Sequence, residues 1–398
     1  MRVFIAGKGT VSAIGSNCIE SWDALRNLRS GIGRISVLPT IYADALPAGE
    51  VKLSNKELAD IAGMDARTSR TALISAIAAK EALLDSGIDI KKYRTGFISA
   101  NTVGGMDKTE IVYSEYLEKK SDAQLTGVVH HDSGSITELV ADVLGIKDFI
   151  STISTACSSS ANSMMYGARL IKSNLLDVVI AGGVDSMSRF TISGFNALMI
   201  LDNKPCVPCD DNRNGLNLGE GAGYVVLVSE RVAKELGKNL NMILSGYANA
   251  NDAYHQTASS PEGKGNFLAM TGALKMSGLQ ASQIDYINLH GTGTKNNDLS
   301  EGLAVQKVFE KVPHCSTTKC FTGHTLGASA GVEAVYSLLS MEHSTIIPNL
   351  RFETQMKELN FSPVTSVIEN IELNHILSNS FGFGGNCSSL IFSKTTLN

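Results

Sequence analysis

The chain has no apolar run of about eighteen residues, so nothing in it is expected to span a membrane. It also has no Lys/Arg-rich stripe. Its 34 basic and 39 acidic residues leave a net charge of −5, and nucleic acid is not an expected partner. The opening Met1-Arg2-Val3-Phe4-Ile5-Ala6-Gly7-Lys8 is too poor in apolar residues for a signal peptide. The seven cysteines follow no framework spacing, which points to free thiols in a reducing compartment, and a cytoplasmic location is expected. No low-complexity segment interrupts the chain. At 398 residues and 43% hydrophobic content it exceeds the usual single-domain size, so two domains or a duplicated core are expected.

Strand-like and helix-like segments alternate throughout. Val3-Phe4-Ile5-Ala6, Thr95 to Ala100, Val178 to Gly183 and Gly223 to Val228 read as strands, and the Ala-rich stretch from Arg70 to Leu84 has helical periodicity. Continuous apolar strands fit a sheet covered on both faces by helices, so the class is α/β. Lys234 to Asn241 is polar and reads as a link. Beyond it Met242-Ile243-Leu244-Ser245-Gly246 resembles the opening strand, and Ile376-Leu377-Ser378-Asn379 runs into glycines as Val178 to Gly183 does. The expected organisation is therefore two similar halves, 1–235 and 236–398.

Cys157 lies in Ser154-Thr155-Ala156-Cys157-Ser158-Ser159-Ser160, between the β-branched run Phe149 to Ile153 and a segment where Ala161, Met164, Met165, Ala168 and Ile171 recur at helical spacing. The thiol is thus expected at a helix N-terminus, where orphan N–H groups and the macrodipole favour a thiolate. Rival motifs are weaker. Cys206 and Cys209 form a CxxC without a matching second pair, so no metal site is expected. Gly7-Lys8-Gly9 echoes a dinucleotide fingerprint but has Ser12 at the third glycine position, and reads as an ordinary turn. Gly219 to Gly223 runs into a strand and not into a helix, so it lacks the dipole of a phosphate loop. Gly327-Ala328-Ser329-Ala330-Gly331 matches a hydrolase elbow, yet no Asp follows it. It reads as a helix start made of small residues for close packing.

His290-Gly291-Thr292-Gly293-Thr294 follows the apolar strand Tyr286-Ile287-Asn288-Leu289, which places a histidine at a strand end facing a cleft. Lys319-Cys320-Phe321-Thr322-Gly323-His324 offers a lysine and a second histidine in another glycine-flanked stretch. Taken in order with Thr155-Ala156-Cys157-Ser158-Ser159, the loop Asp211 to Gly223, Asn251-Asp252-Ala253-Tyr254-His255 and Asn379-Ser380-Phe381-Gly382-Phe383-Gly384-Gly385, these motifs resemble the elongating, Cys-His-His β-ketoacyl-acyl-carrier-protein synthases. The resemblance covers nearly the whole chain. It implies the thiolase fold, two α/β halves in a five-layered αβαβα sandwich. It also implies a homodimer or a heterodimer with a chain-length-factor-like subunit, and an acyl-carrier-protein partner.

The same resemblance implies roles. Cys157 takes the acyl chain from the carrier's phosphopantetheine arm. The N–H groups of Cys157 and Phe383 form the oxyanion hole. His290 and His324 polarise a malonyl thioester and stabilise the enolate left by loss of carbon dioxide. Lys319 orients His324, Glu333 pairs with Lys319, and Thr292 and Thr294 support the first histidine loop. Phe383 acts as a gate whose flanking glycines let it swing. No tightly bound cofactor is implied. A docking surface at Arg67 and Arg70 is expected for the carrier. Chain-length-factor-like partners lack the nucleophilic cysteine, and thiolases and starter-type synthases use Cys-His-Cys or Cys-His-Asn sets, so Cys157 with His290, His324 and Lys319 argues against both. Asn386-Cys387 stand where the family carries Thr-Asn, and Cys209 where it carries Phe. These departures point to a specialised branch building polyene or pigment chains.

Overall fold

The computed structural model describes residues 1–118, 128–238 and 240–395, so Asn239 of the expected link lies outside the described residues. Five strands of the large sheet belong to the first half: β1 (Val3–Ser12), β2 (Thr95–Ala100), β3 (Phe149–Ile153), β4 (Val178–Asp185) and β5 (Gly221–Ser229). Five belong to the second: β6 (Met242–Asn251), β7 (Tyr286–Asn288), β8 (His314–Ser316), β9 (His375–Phe381) and β10 (Asn386–Lys394). Together they run in the order β8-β7-β9-β10-β6-β1-β5-β4-β2-β3. The halves meet where β1 and β6 pair antiparallel at Phe4 and Ile243. In each half the first strand is antiparallel to the fifth and the fifth antiparallel to the fourth, while the second is parallel to the fourth and to the third. Order and direction repeat, and we take 1–235 and 236–398 as the two copies. Glu230–Glu235, at the end of the first copy, is helical, so the polar stretch from Lys234 begins inside a helix.

The five helices that matter for the site are α1 (Arg70–Ser86), α2 (Ser159–Lys172), α3 (Lys264–Ser277), α4 (Lys295–Val308) and α5 (Ser329–His343). α1 covers β1, β4 and β5, and α3 covers β6 and β10, as outer layers. α2 and α5 touch strands of both halves and form the middle layer of the αβαβα stack. A helix between two sheets must be apolar or small all round. α5 obeys this: every residue from Ser329 to Met341 is buried. It lies so close to β5 that a Cβ on Gly223 would fall 2.2 Å from the backbone of Gly331. The small residues of Gly327 to Gly331 therefore serve close packing, as expected. None of the helices among the described residues is long and apolar enough to cross a membrane.

Two readings are corrected. Gly7-Lys8-Gly9 lies inside β1 and is no turn. Cβ atoms on Gly7 and Gly9 would sit 2.3 and 2.2 Å from carbonyls of α1, so both glycines exist to let that helix approach. Arg70 is not on a solvated face. It opens α1 pointing inward, only 7% exposed, with Nη2 2.7 Å from Glu220 Oε1 and further bonds to the carbonyls of Val51 and Leu53. A group so enclosed cannot meet a carrier. Arg67, 91% exposed at its side chain and paired with Asp65 at 2.6 Å, remains. Arg70→Ala would strand the Glu220 carboxylate in the core, and we expect a stability loss of about 3–5 kcal/mol by urea unfolding. Arg67→Glu should leave the same curve unmoved.

Candidate active site

Between β3 and α2 the chain turns sharply. Ala156 takes φ +52°, a conformation that is strained for a residue with a Cβ. The turn is held from within: Thr155 N–H donates to Ser159 Oγ (2.8 Å), and Ser158 Oγ donates to Asn386 Oδ1 (2.7 Å) of β10. Cys157 is thereby fixed just ahead of α2. Its thiol is buried, and burial pushes its pKa up to about 11 against the pull of the Lys319 ammonium and the N–H groups of Phe383 and of Cys157 itself. The expected thiolate is thus not the resting form: desolvation outweighs the helix terminus. A buried thiol needs a base, and His324 Nε2 lies 3.0 Å from its sulfur.

Each histidine is set by carboxylate or backbone anchors. After β7 the loop turns through Gly291 (φ +41°) and Gly293 (φ +88°). Glu301 of α4 accepts from the N–H groups of His290 and Gly291, both at 2.8 Å, and Asp298 accepts from those of Thr292 and Gly293. Thr292 and Thr294 hydroxyls lie 3.0 Å apart, and Thr294 caps α4 by accepting from Asn297 N–H. His324 follows Gly323 (φ +70°), donates its N–H to the Asn217 carbonyl (2.7 Å) and accepts from Gly219 N–H (2.9 Å). The loop Asp211 to Gly223 therefore backs the second histidine. The two rings stand edge to face, centroids 5.4 Å apart. The Cys157 sulfur and one ring nitrogen each of His290 and His324 all lie within 4.8 Å of one another.

Lys319 is where the arrangement departs from expectation. Its Nζ lies 3.3 Å from Nδ1 of His290, not of His324, and is hydrogen-bonded to Glu333 on its other side. An ammonium only donates, so His290 Nδ1 is the acceptor and the ring proton sits on Nε2. His324 is held instead by Ser329 Oγ, 2.9 Å from its Nδ1. Burial, reinforced by Lys319, drives both imidazoles well below 6.5, so they are neutral at pH 7. Burial also raises the Glu333 carboxyl to about 7, against the opposing pull of Lys319. The Lys319–Glu333 contact is thus a buried, hydrogen-bonded pair.

Phe383 lines the same cavity as Cys157. Its ring stacks on Phe195 with centroids 5.9 Å apart. Gly384 beside it has φ +77°, and a Cβ on Gly382 would lie 3.0 Å from Cys157 N, so the backbone of this segment presses directly on the nucleophile's. Cys157, His290, His324, Phe195 and Phe383 line one cavity of about 470 Å³. The structure thus brings together Cys157, His290, His324, Lys319, Glu333 and Phe383, with Thr292 and Thr294 on the cavity wall. Glu301 and Ser329 were missed as site residues. The one available signal was an acidic residue at helical spacing from Asp298, in a helix that opens on a threonine cap.

Residues 1–233 match the family described as "Beta-ketoacyl synthase, N-terminal domain" and residues 241–353 that described as "Beta-ketoacyl synthase, C-terminal domain". The chain is 32% identical to the 3-oxoacyl-[acyl-carrier-protein] synthase 2 of Staphylococcus aureus strain MRSA252, across 99% of this chain and 98% of that one. Among solved structures, the ishigamide ketosynthase/chain length factor superimposes with a TM-score of 0.91 at 27% identity, over 99% of each chain. The ketosynthase ApeO, in complex with its chain length factor ApeC from Xenorhabdus doucetiae, does so at 0.84 and 28%, over 99% of this chain and 98% of that one. A thiol, two neutral imidazoles and a buried ammonium–carboxylate pair around one cavity, on a twice-repeated fold matched from end to end, place this chain in the β-ketoacyl synthase family.

Proposed function

We propose that the protein condenses an acyl group held on Cys157 with a malonyl group on an acyl carrier protein, releasing carbon dioxide and leaving a β-ketoacyl-carrier product. The observation that carries this reading is the convergence of Cys157 Sγ with two imidazoles, one of them locked by Lys319 as an Nε2–H donor. The Cys157 sulfur attacks the incoming thioester carbonyl, and the backbone N–H groups of Cys157 and Phe383 receive the oxyanion. The carrier's sulfur leaves as a thiol. A malonyl thioester then enters, its carbonyl oxygen meets His290 Nε2–H, and loss of carbon dioxide puts charge on that oxygen. The enolate carbon attacks the Cys157 thioester and the thiolate departs.

No resident cofactor takes part in this scheme; the acyl groups arrive on the phosphopantetheine arm of the carrier. Intact mass after incubation with an acyl-carrier should show one acyl group on the protein, lost again when malonyl-carrier is added and β-ketoacyl-carrier appears. A hydrolase would instead release free acid, and a protein that gains no acyl group would refute the reading. For docking, Arg67 remains as the exposed cation of the expected patch. Arg67→Glu should raise the carrier's KM by about twofold to fivefold and weaken its salt dependence.

Among the described residues the edge strand β3 is unpaired on one side and exposes Ile150, and the helices Met106–Leu117 and Arg189–Ala197, which contact each other, expose Tyr113, Tyr116 and Phe190. We read these as surfaces for a subunit, either a second copy or a chain-length-factor-like partner. On the departures Asn386-Cys387 and Cys209 we assign the chain to a specialised polyene or polyketide branch.

A further inference from the structure

The two histidines are held by chemically different groups. His290 Nδ1 faces an ammonium, which can only donate. His324 Nδ1 faces the Ser329 hydroxyl at 2.9 Å, which can accept. Ser329 is the first residue of α5 and is 1% exposed. It reaches the imidazole because the chain between them doubles back: Leu326 takes φ +52°, strained for a leucine, and folds residues 324 to 329 into a tight loop. Behind the Ser329 hydroxyl stands that of Thr325, 3.3 Å away. The Ser329 hydroxyl can therefore give its own proton to Thr325 and keep a lone pair for the ring. The His324 backbone is pinned at both N–H and carbonyl, so the ring has one place to stand, with Nε2 3.0 Å from the Cys157 sulfur.

We propose that Ser329 is a positioning residue that holds the His324 ring proton on Nδ1, so that the free lone pair on Nε2 serves as the base for the Cys157 thiol. The inference rests on the condensation reading and divides its two steps between the histidines. In acyl transfer the Cys157 S–H bond breaks and its proton moves to Nε2. The sulfur forms its bond to the acyl carbon as the carrier's C–S bond breaks, and Nε2 returns the proton to the departing carrier sulfur. His324 ends neutral, as it began. The imidazolium formed in passing donates Nδ1–H to the Ser329 oxygen. His290, with its proton locked on Nε2, serves the malonyl step. The expected joint role of both histidines in decarboxylation is thereby replaced by one role each.

The test measures the two steps separately in the full-length enzyme. Ser329→Ala removes the acceptor and favours the tautomer with Nε2–H, because a buried N–H without a partner is costly. We expect alkylation of Cys157 by iodoacetamide at pH 7 to slow by roughly tenfold or more, a share of what a positioned base contributes. Enzyme first acylated to completion should release carbon dioxide from malonyl-carrier within about threefold of the parent rate, since that step needs His290 and not an Nε2 lone pair. Ser329→Thr keeps the hydroxyl and should restore alkylation. In ¹⁵N-histidine spectra, one imidazole of the parent should carry its proton on Nδ1 and lose that signature in Ser329→Ala alone. Unchanged alkylation in Ser329→Ala would overturn the proposal. So would equal slowing of both steps, or a Ser329→Thr protein of parental melting temperature that alkylates no faster than Ser329→Ala. If the parent alkylates normally yet never releases carbon dioxide from malonyl-carrier, the condensation reading falls while the Ser329–His324–Cys157 linkage stands.

Discussion

Cys157→Ala is expected to reduce condensation to background, a loss of roughly 10⁴-fold or more, as when an enzyme loses its covalent nucleophile. The expectation follows from position as well as chemistry. The strained Ala156 and the hydroxyls of Ser158 and Ser159 define the turn, and none of them depends on the sulfur. Alanine fits the same backbone, so the melting temperature should stay within a few degrees of the parent value. The protein should still bind acyl-carrier but gain no acyl mass. Retention of elongation with an unmodified protein would mean that another group accepts the chain, whereas Cys157 is the one thiol among the described residues that line the cavity.

His290→Ala should lower carbon dioxide release from malonyl-carrier by about 10²–10³-fold, the range for loss of a single preorganised oxyanion donor. Acylation of Cys157 should fall far less, because the backbone N–H groups of Cys157 and Phe383 serve that step. The pH dependence is also specified. The folded pKa of His290 lies well below 6.5, so the ring stays neutral from pH 8 to 6.5, whereas Glu333, raised to about 7, takes up a proton in that range. ¹⁵N-histidine spectra recorded across that range check it. An imidazolium signal from His290 above pH 6.5 would mean that burial beside Lys319 does not set its charge.

Much of this site is legible in the sequence because each catalytic group is embedded in residues that dictate its backbone. Cys157 lies between a β-branched run and a helix of small residues, and His290 and His324 lie among glycines at the ends of short elements. The duplication shows in the likeness of Val3–Gly7 to Met242–Gly246, since both strands occupy the same place in their half. What stayed hidden are contacts between distant residues. Lys319 is five residues from His324 and twenty-nine from His290, yet it bonds the latter, because the helical turn Lys319–Thr322 aims its side chain across the cavity. Arg70 stands at the start of a helix and near Arg67, but its partner Glu220 lies 150 residues away and draws it inward. Gly7 and Gly9 look like turn residues and are strand residues, because the reason for them is a helix that begins at Arg70. For Lys319 and Arg70 local pattern fixed the element and a long-range partner fixed the side chain's direction; for Gly7 and Gly9 the distant helix decided the element itself.

The middle-layer helix α5 has a mechanical role beyond packing. Ser329 and Glu333 are one helical turn apart on it, and they hold the two imidazoles: Ser329 directly, Glu333 through Lys319. A single rigid shaft therefore carries both supports. Sliding or rotating that shaft would move the two imidazole anchors together, so the base and the donor stay in phase or lose alignment at the same time. The gap-free contact of Gly331 with Gly223 is the bearing on which the shaft is seated, and it lies two residues from each anchor. The timing of two chemically separate steps is thus tied to how closely one helix can lie against one strand.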